Sequence, residues 1–381
     1  MSNYILSIII PTKNRQFYCM KAIEEVINNT SNDVQLVIQD NSNDPHILSS
    51  FVSKLNNNRI LYHHQKNVLS FVDNFSEAVS FSSGEYLCMI GDDDGVLKSI
   101  ESAVIYAKNN DIDCYIPSQN AVYIWPNEKP IVPKAENGYL CLSYLHNRIV
   151  NVDTKKSLRM LLKQGFQDYQ HLSVPRLYHG LVKREILDSI KAKTGRFFGG
   201  LTPDMYMIVA LSLMCKKVVF SKMPITISGI CPQSGSSASA TGKHTGKLAE
   251  APHFIGQNNY IWSELVPAIY TVETIWADTG VHALLDFHQN ELIKQFNKKR
   301  LLIYLIDKYP QFKNEYDLYQ KKNVRINPLN ICFFKILKSF LFIKKVFARI
   351  FRKKTDVIKH YGIQNIEEAA FIVDQVCSKI K

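Results

Sequence analysis

The chain has 381 residues, of which 46% are hydrophobic and 21% are charged. This composition allows a large core in two or three domains, and it excludes a wholly disordered chain. The formal net charge is +12, but eight basic residues and no acidic ones lie between Ile331 and Lys354. Without those eight charges the rest of the chain carries only about +4. A nucleic-acid-binding protein would carry basic charge throughout its fold, so this pattern argues against one.

The cysteines and the apolar runs indicate the cellular compartment of the protein. The eight cysteines form no CxxC pair, which argues against a zinc site and a disulfide framework and favours a reducing cytoplasm. The apolar run Ile5–Ile10 ends at Pro11 and is too short for a signal peptide. No uncharged stretch approaches the roughly eighteen residues of a spanning helix. We therefore predict a cytoplasmic protein that does not cross a membrane.

The first hundred residues alternate between strand and helix patterns. The β-branched run Leu6–Ile10 predicts a strand buried on both faces, and residues 16–29 have helical spacing. Further strands are predicted at 34–38, 60–63 and 85–90, with helices at about 45–56 and 71–81. This order predicts an α/β fold with a mostly parallel sheet covered by helices. In such sheets, ligands bind beyond the carboxyl ends of the strands.

The remainder of the chain is less regular. Within residues 110–232, helices are predicted at Leu181–Ile190 and Met205–Leu213. Around Gln233–Gly246 the composition shifts to Ser, Gly, Ala and Thr, which indicates a mobile loop. Beyond it the pattern is mainly helical. We therefore predict three parts, namely an α/β domain over 1–232, a flexible loop over 233–257 and a helical extension over 258–381.

Three consecutive carboxylates, Asp92, Asp93 and Asp94, follow the strand at 85–90 and have a glycine on each side. Like charges this close repel one another, so the fold alone gains nothing from them. A hard divalent cation would bind their oxygens together with the phosphates of a nucleotide. The alternative is a solvated acidic turn.

Four motifs resemble a known family when they are taken in order. They are Leu6–Arg15 (LSIIIPTKNR), Val37–Asp44 (VIQDNSND), Ser83–Leu87 (SGEYL) and Gly91–Asp94 (GDDD). Over residues 5–232 this sequence resembles the family 2 glycosyltransferases, which share the GT-A fold. Gln39 departs from the pattern, because an acid is more usual there.

The resemblance implies an activity. A member of this family would be an inverting, metal-dependent enzyme that moves a sugar from a nucleotide donor, UDP in the first instance, to a hydroxyl of a glycan acceptor. A lipid-linked acceptor in cell-surface polysaccharide synthesis would fit the family. The catalytic GT-A domain would then be residues 1–232.

The resemblance also implies residue roles. Asp40 would read the base, although an aspartate there can simply cap a turn. Asp94 would be the direct ligand of Mn²⁺ or Mg²⁺, with Asp92 beside it at the metal or the ribose. The residues implied to border the nucleotide are Pro11, Thr12, Asn14, Arg15, Asp40, Asn67, Asn74, Asp92 and Asp93.

Inverting transfer needs a general base for the acceptor hydroxyl. The family's acid motif opens a helix, and here Asp204 takes that place, with Pro203 instead of the usual Glu. An aspartate near a helix start is also a common N-terminal device. His179 and His244 are candidate contacts to acceptor or diphosphate. The alternatives are a satisfied, partly buried histidine for His179 and a plain linker for the Ser-rich stretch beside His244.

Residues 331–354 have basic side chains on one helical face and Phe, Ile and Leu on the rest. This pattern predicts a helix lying in the interface of an anionic membrane. The protein would then be peripheral on the inner face of the cell membrane. The alternative is a core-packed helix with a solvated face.

Two other functions are alternatives to the glycosyltransferase that the resemblance implies. A nucleotidyltransferase would also use strand-end acids and a metal, but it would show a Gly-rich basic phosphate loop, and Pro11–Arg15 is not one. A non-catalytic membrane-associated scaffold would leave the acidic cluster and Asp204 without a role.

Overall fold

The computed structural model describes residues 4–380, apart from positions 131, 241, 243, 258, 328, 333, 337, 338 and 341–356. The strands are β1 Leu6–Thr12, β2 Val34–Asp40, β3 Ile60–His64, β4 Tyr86–Met89, β5 Gly95–Val96, β6 Cys114–Ile116, β7 Ala121–Ile124, β8 Tyr139–Ser143, β9 Ile149–Asn151, β10 Leu181–Lys183, β11 Val218–Ser221, β12 Thr226–Ile230, β13 Thr245–Lys247, β14 Ile269–Thr271 and β15 Val357–Tyr361. The helices are α1 Gln16–Asn29, α2 His46–Leu55, α3 Phe71–Ser80, α4 Ser99–Asn109, α5 Thr154–Lys163, α6 Arg184–Thr194, α7 Pro203–Met214, α8 Gly235–Ala240, α9 Val272–Asp286, α10 Asn290–Lys294, α11 Lys298–Lys308, α12 Lys313–Lys322 and α13 Ile366–Cys377.

The larger sheet has eight strands in the order β3-β2-β1-β4-β10-β6-β11-β9. Its first four strands are parallel, as predicted, and so is the β6–β11 pair, whereas β10 and β9 run antiparallel to their neighbours. The carboxyl ends of β1, β2 and β4 consequently meet at one edge. In the β1–β2 register Thr12 lies opposite Asp40.

Both faces of this sheet are buried, which explains the unbroken apolar run in β1. Ile8 and Ile10 belong to the cluster that includes side chains of α1, α2 and α4, and Ile9 belongs to the cluster of the opposite face. The opposite cluster includes side chains of α3, α5, α6, α7 and α9. Alternate side chains of a strand point to opposite faces, so a strand covered on both sides carries no polar stripe.

The helix predicted at Leu181–Ile190 is wrong over its first three residues. Leu181–Lys183 forms β10, which lies between β4 and β6, and the helix α6 begins at Arg184. Leu181 and Val182 are fully buried in the two core clusters. Three apolar residues next to a helix are too few to show whether their spacing is that of a strand or of a helix. Here the pairing with β4 and β6 makes them a strand.

A second sheet, in the order β15-β8-β7-β12-β5, ties the end of the described chain to the α/β domain. Strand β15 pairs with β8 over its whole length, and α13 packs against α1. The predicted helical extension is therefore not wholly helical, and it contributes a strand to a sheet of the first part. The predicted loop at 233–257 contains α8 and β13. The three-part division stays a prediction.

The basic segment 331–354 is only partly described. Residues 333, 337, 338 and 341–354 of it lie outside the described residues. Phe334 is buried beneath the guanidinium of Arg300, which lies 4.4 Å from its ring, whereas Ile336 and Phe340 are 62% and 58% exposed. Among the helices that the structure describes, none is long and apolar enough to cross a membrane.

Candidate functional site

The three aspartates follow β4 as a buried turn rather than a solvated one. Asp92, Asp93 and Asp94 are each at most 3% exposed. Thr12, at the end of β1, donates a hydrogen bond of 2.5 Å from its hydroxyl to Asp92. Arg15 lies with its Nη2 atom 2.6 Å from Asp92 Oδ1 and its Nη1 atom 3.6 Å from Asp93 Oδ1. A cation from α1's N-terminal side therefore offsets the charge of two neighbouring carboxylates.

Burial raises the pKa of Asp92 and of Asp93, and the charge of Arg15 acts in the opposite direction. The backbone N–H of Cys231, just after β12, donates to Asp93 Oδ2 at 3.0 Å. The indole N–H of Trp125 donates to the Asp93 carbonyl oxygen at 2.9 Å. The turn is thus held from β1, α1, β7 and β12 at once.

Asp94 has both carboxylate oxygens occupied by protein donors. Its Oδ1 atom accepts from the backbone N–H of Gly229 at 2.6 Å. Its Oδ2 atom accepts from the N–H of Gly91 at 2.6 Å and from the hydroxyl of Tyr178 at 2.7 Å. A Cβ at Gly229 would lie 1.7 Å from the Asp93 carbonyl oxygen, so only glycine fits there. Asp94 therefore anchors the turn to the second sheet.

The predicted role of Asp94 as the direct metal ligand stays a prediction. Its carboxylate already accepts three hydrogen bonds, so a metal ion bound there would share it with Gly229, Gly91 and Tyr178. Within the described ranges, no three His, Cys, Asp or Glu side chains are grouped so as to hold a metal ion. Asp92 and Asp93 also have the oxygen ligands that a hard metal ion prefers. In this arrangement the guanidinium of Arg15 offsets their negative charge.

Among the residues implied to border the nucleotide, some lie near the acidic turn, whereas Asp40 has partners of its own. Thr12 and Arg15 contact the acidic turn directly, and Pro11 is buried at the end of β1. Asp40 is fully buried and accepts from the N–H of Ser42 and from the hydroxyl of Tyr62, both at 2.8 Å. Its contacts are those of the turn-capping alternative, and its role with a base stays a prediction.

The three asparagines differ in their surroundings. Asn14 has a left-handed backbone with φ of 57°, and its side-chain oxygen accepts from the N–H of Asn43 at 2.9 Å. Asn67 is exposed. Asn74 is 7% exposed, and its side-chain oxygen is buried without a hydrogen-bond partner among the described residues. Its amide nitrogen lies 3.4 Å from the Thr12 carbonyl oxygen, so the unpartnered oxygen is next to the end of β1.

Asn41 was missed by the sequence analysis. Its amide group donates to the carbonyl oxygens of Gln65 and Asn67, and its side-chain oxygen accepts from Lys13 and from the N–H of Leu69. It therefore joins the loops after β1 and β3. The only signal was its position directly after Asp40, and the turn-forming composition there concealed it.

Asp204 lies in the first turn of α7, after Pro203, and it is half-buried. It lines a cavity of about 20 Å³ together with Met89, Tyr169, Arg176 and Tyr178 among others. Tyr169 places its hydroxyl 3.5 Å from Asp204 Oδ2. Burial raises the pKa of Asp204 to about 6, against the effects of Tyr169 and Arg176.

Tyr178 connects this cavity to the acidic turn, because its hydroxyl donates to Asp94 and its side chain lines the cavity. Arg176 is 6% exposed, donates to Gln119 at 2.8 Å, and keeps its Nε atom without a partner within the described chain. Tyr169, Gln119 and Arg176 carried no motif in the sequence. Gln119 follows β6 and Arg176 precedes β10, and the pairing of these two strands joins parts of the chain that no local pattern connects.

The two candidate histidines have different environments. His179 is 2% exposed, with its Nδ1 atom 2.9 Å from the Thr226 hydroxyl and its Nε2 atom 3.3 Å from Asp94 Oδ2. Burial lowers its pKa to about 3, so the imidazole is neutral at pH 7. These contacts fit the alternative given above, a buried histidine whose ring nitrogens have partners within the protein. His244 lies 2.9 Å from the Ser239 hydroxyl, beside the rings of His253 and Tyr270.

Comparisons with known proteins give a family for part of the chain. Residues 7–187 match the family described as Glycosyl transferase family 2. Over 147 residues the chain is 30% identical to WcaA of Escherichia coli (strain K12), whose name describes a glycosyl transferase of colanic acid biosynthesis. That match covers 35% of this chain and half the length of the relative.

Two solved structures show a remote likeness. S. aureus TarS (residues 1–349) with UDP-GlcNAc is 12% identical, with a TM-score of 0.45 over 83% of this chain and 89% of that one. The mannosyltransferase PcManGT from Pyrobaculum calidifontis, with GDP-Man and Mn²⁺, is 11% identical, with a TM-score of 0.40 over 98% and 88%. The predicted GT-A fold is confirmed on the family match together with the sheet described above.

Asp94→Asn tests whether this residue is an anchor. An amide accepts at one atom only and turns an N–H toward a backbone N–H, so we expect the free energy of unfolding to fall by about 2–4 kcal/mol. Urea unfolding with and without Mn²⁺ measures it, and Asp317→Asn on the exposed side of α12 is the matched control. Wild-type stability of Asp94→Asn without metal would contradict the anchor role and favour the predicted metal role.

Proposed function

Because residues 7–187 belong to glycosyl transferase family 2, we propose that the protein transfers a sugar from a nucleotide diphosphate donor to a hydroxyl of a glycan acceptor. The product in this proposal belongs to cell-surface polysaccharide synthesis, which the name of the E. coli relative supports. The family match supports sugar transfer over the alternative of a nucleotidyltransferase.

One observation carries the proposal. The carboxylate of Asp204 and the acidic turn lie on either side of Tyr178, which lines the cavity of Asp204 and donates to Asp94. A transferase needs a base for the acceptor next to a charged site for the donor. Here a half-buried carboxylate with a raised pKa stands beside a buried turn at the carboxyl ends of β1 and β4.

The proposed chemistry is a single displacement. The acceptor oxygen bonds to the anomeric carbon while the bond from that carbon to the diphosphate oxygen breaks, and the acceptor proton passes to Asp204. Attack from the face opposite the leaving group inverts the anomeric centre. The Tyr169 hydroxyl, 3.5 Å from Asp204 Oδ2, orients the carboxylate. A carboxylate with a pKa near 6 is a stronger base than an exposed one and is still ionised at pH 7.

For the donor we propose the carboxyl edge of β1, β2 and β4. Arg15 supplies a cation there, and the unpartnered oxygen of Asn74 can accept a hydrogen bond from a sugar or ribose hydroxyl. UDP stays the nucleotide that the sequence resemblance implies. Mn²⁺ or Mg²⁺ also stays a prediction, with Asp94 and Asp92 as the residues that would hold it, and no step of the proposed reaction depends on it.

We further propose that residues 331–354 lie on an anionic membrane surface and bring the site to a lipid-linked acceptor. The described part supports this proposal through the exposed Ile336 and Phe340 beside the exposed Lys335. Apolar side chains among basic ones are stabilised where headgroups meet acyl chains.

Asp204→Asn should lower the rate of sugar transfer by about 10²–10⁴-fold, because a positioned base contributes that much. The wild-type kcat should be constant above about pH 6 and fall about tenfold per pH unit below it, since the basic carboxylate is protonated there. Steady-state rates at about pH 4.5 to 8 measure the loss of rate in Asp204→Asn and the pH dependence of the wild type, provided that the protein stays folded over this range. Near-normal turnover of Asp204→Asn would place the base elsewhere.

Lys344→Glu combined with Lys345→Glu should weaken binding to anionic liposomes by at least about tenfold, since each basic residue near the surface contributes about 1 kcal/mol. Co-sedimentation at low and high salt measures it. Lys155→Glu with Lys156→Glu, on exposed positions of α5, changes the net charge equally and is the control. Equal losses in both pairs would show a general charge effect and no membrane helix.

A further inference from the structure

Three aromatic side chains form a triangle beside the ribbon β13–β14, outside the family-matched residues. The ring centroids of His244, His253 and Tyr270 lie 5.7–6.1 Å apart. Tyr270 is 4% exposed and belongs to β14, which pairs with β13. None of the three has a role in the proposed transfer step.

Two polar atoms of this triangle lack hydrogen bonds. The Nδ1 atom of His253 and the hydroxyl of Tyr270 are buried and have no partner in the part of the chain that the structure describes. A buried polar atom without a hydrogen bond is costly, and native proteins keep few of them. Two of them on neighbouring rings therefore point to a ligand that brings its own polar groups.

A line of rings leads from the triangle to the cavity of Asp204. Phe71, 50% exposed at the start of α3, lies 6.3 Å from His253 and 4.7 Å from Phe75. Phe75 lies 6.4 Å from Phe198, and Phe198 lines the cavity that holds Asp204. From the other side, Tyr270 shares an apolar cluster with Leu201, three residues before Asp204. The triangle is therefore connected through these rings to the cavity of Asp204, the proposed base for the acceptor hydroxyl.

The chemistry of the triangle favours a neutral ligand with hydroxyl groups. Burial lowers the pKa of His253 to about 4 and lowers that of His244, so both imidazoles are neutral at pH 7 and do not attract phosphate by charge. A pyranose presents hydroxyls at its rim and C–H groups on its faces. The C–H groups pack against the negative faces of aromatic rings, and the hydroxyls both donate and accept.

We propose that Phe71, His253 and Tyr270 form a subsite for a neutral sugar ring of the acceptor, away from the hydroxyl that reacts. In this subsite the sugar packs on the exposed ring of Phe71, donates a hydroxyl proton to His253 Nδ1 and accepts from or donates to the hydroxyl of Tyr270. The inference rests on the proposed transferase function and extends it to the acceptor. His253 and Tyr270, which would make the hydrogen bonds to the sugar, lie outside the family-matched residues 7–187, whereas Phe71 lies within them.

Saturation-transfer NMR on the full chain with neutral disaccharides (lactose, cellobiose, maltose and chitobiose) tests the subsite. We expect at least one to bind the wild type in the millimolar range, and Phe71→Ala or Tyr270→Phe to weaken its affinity about fivefold to tenfold. Tyr270→Phe keeps the ring and removes only the hydroxyl, so folding is not at risk. Phe371→Ala, at a 61% exposed position of α13, is the matched control and should bind as the wild type does.

The outcomes separate the two claims. Absence of binding by every disaccharide, or equal affinity in Tyr270→Phe, Phe71→Ala and the control, overturns the subsite. Donor hydrolysis by the wild type is measured in parallel. Its absence together with disaccharide binding that depends on Tyr270 would contradict the transferase and leave the subsite standing.

Discussion

A buried turn of three carboxylates is the constraint on which the rest of the site depends. Isolated charges cannot be buried, because their loss of hydration costs far more than a fold can offset. Asp92, Asp93 and Asp94 are tolerated because a guanidinium, three backbone N–H groups and two hydroxyls surround them. These donors come from β1, α1, β12 and the residues before β10. Satisfying the turn therefore fixes how the larger sheet meets the second one.

The need of buried carboxylates for hydrogen-bond donors also explains why the three aspartates have different partners. Asp94 accepts from three donors and holds the turn, whereas Asp92 and Asp93 face Arg15, whose side chain is partly exposed. Asp93 also accepts from the backbone N–H of Cys231, whereas the partners of Asp92 are the side chains of Thr12 and Arg15. Asp92 is therefore the carboxylate of the turn that the backbone constrains least. Asp204 is half-buried, has a raised pKa and lies at the start of α7, in a cavity that Tyr178 separates from the acidic turn.

Much of the fold could be predicted from the sequence, and for a physical reason. The strands β1 to β4 and the helices between them are local patterns, with β-branched runs closed by turn residues and helical spacing in between. The strand β10 was predicted as a helix, because its three residues acquire their state only from β4 and β6. Strand β15 was also missed, since its pairing with β8 joins positions more than two hundred residues apart.

The site was less predictable than the fold. The motif residues Thr12, Arg15 and Asp92 do meet at the end of β1, because adjacent parallel strands bring their carboxyl ends together. The metal role of Asp94 was implied by the family resemblance, and the local motif says nothing of the donors that Gly229 and Tyr178 bring from distant parts of the chain. Tyr169, Arg176 and Tyr270 have no sequence signal, since their neighbours are assembled by tertiary structure.

The measurement that tests the account most directly is the release of nucleoside diphosphate from a panel of nucleotide sugars, followed over time with the full chain, with and without Mn²⁺. Slow hydrolysis of a donor needs the donor site and water but no knowledge of the acceptor. If the protein transfers sugars from a nucleotide donor, one nucleotide sugar should release its diphosphate above the rate without protein. No release and no saturable binding for any donor, under either condition, would contradict it.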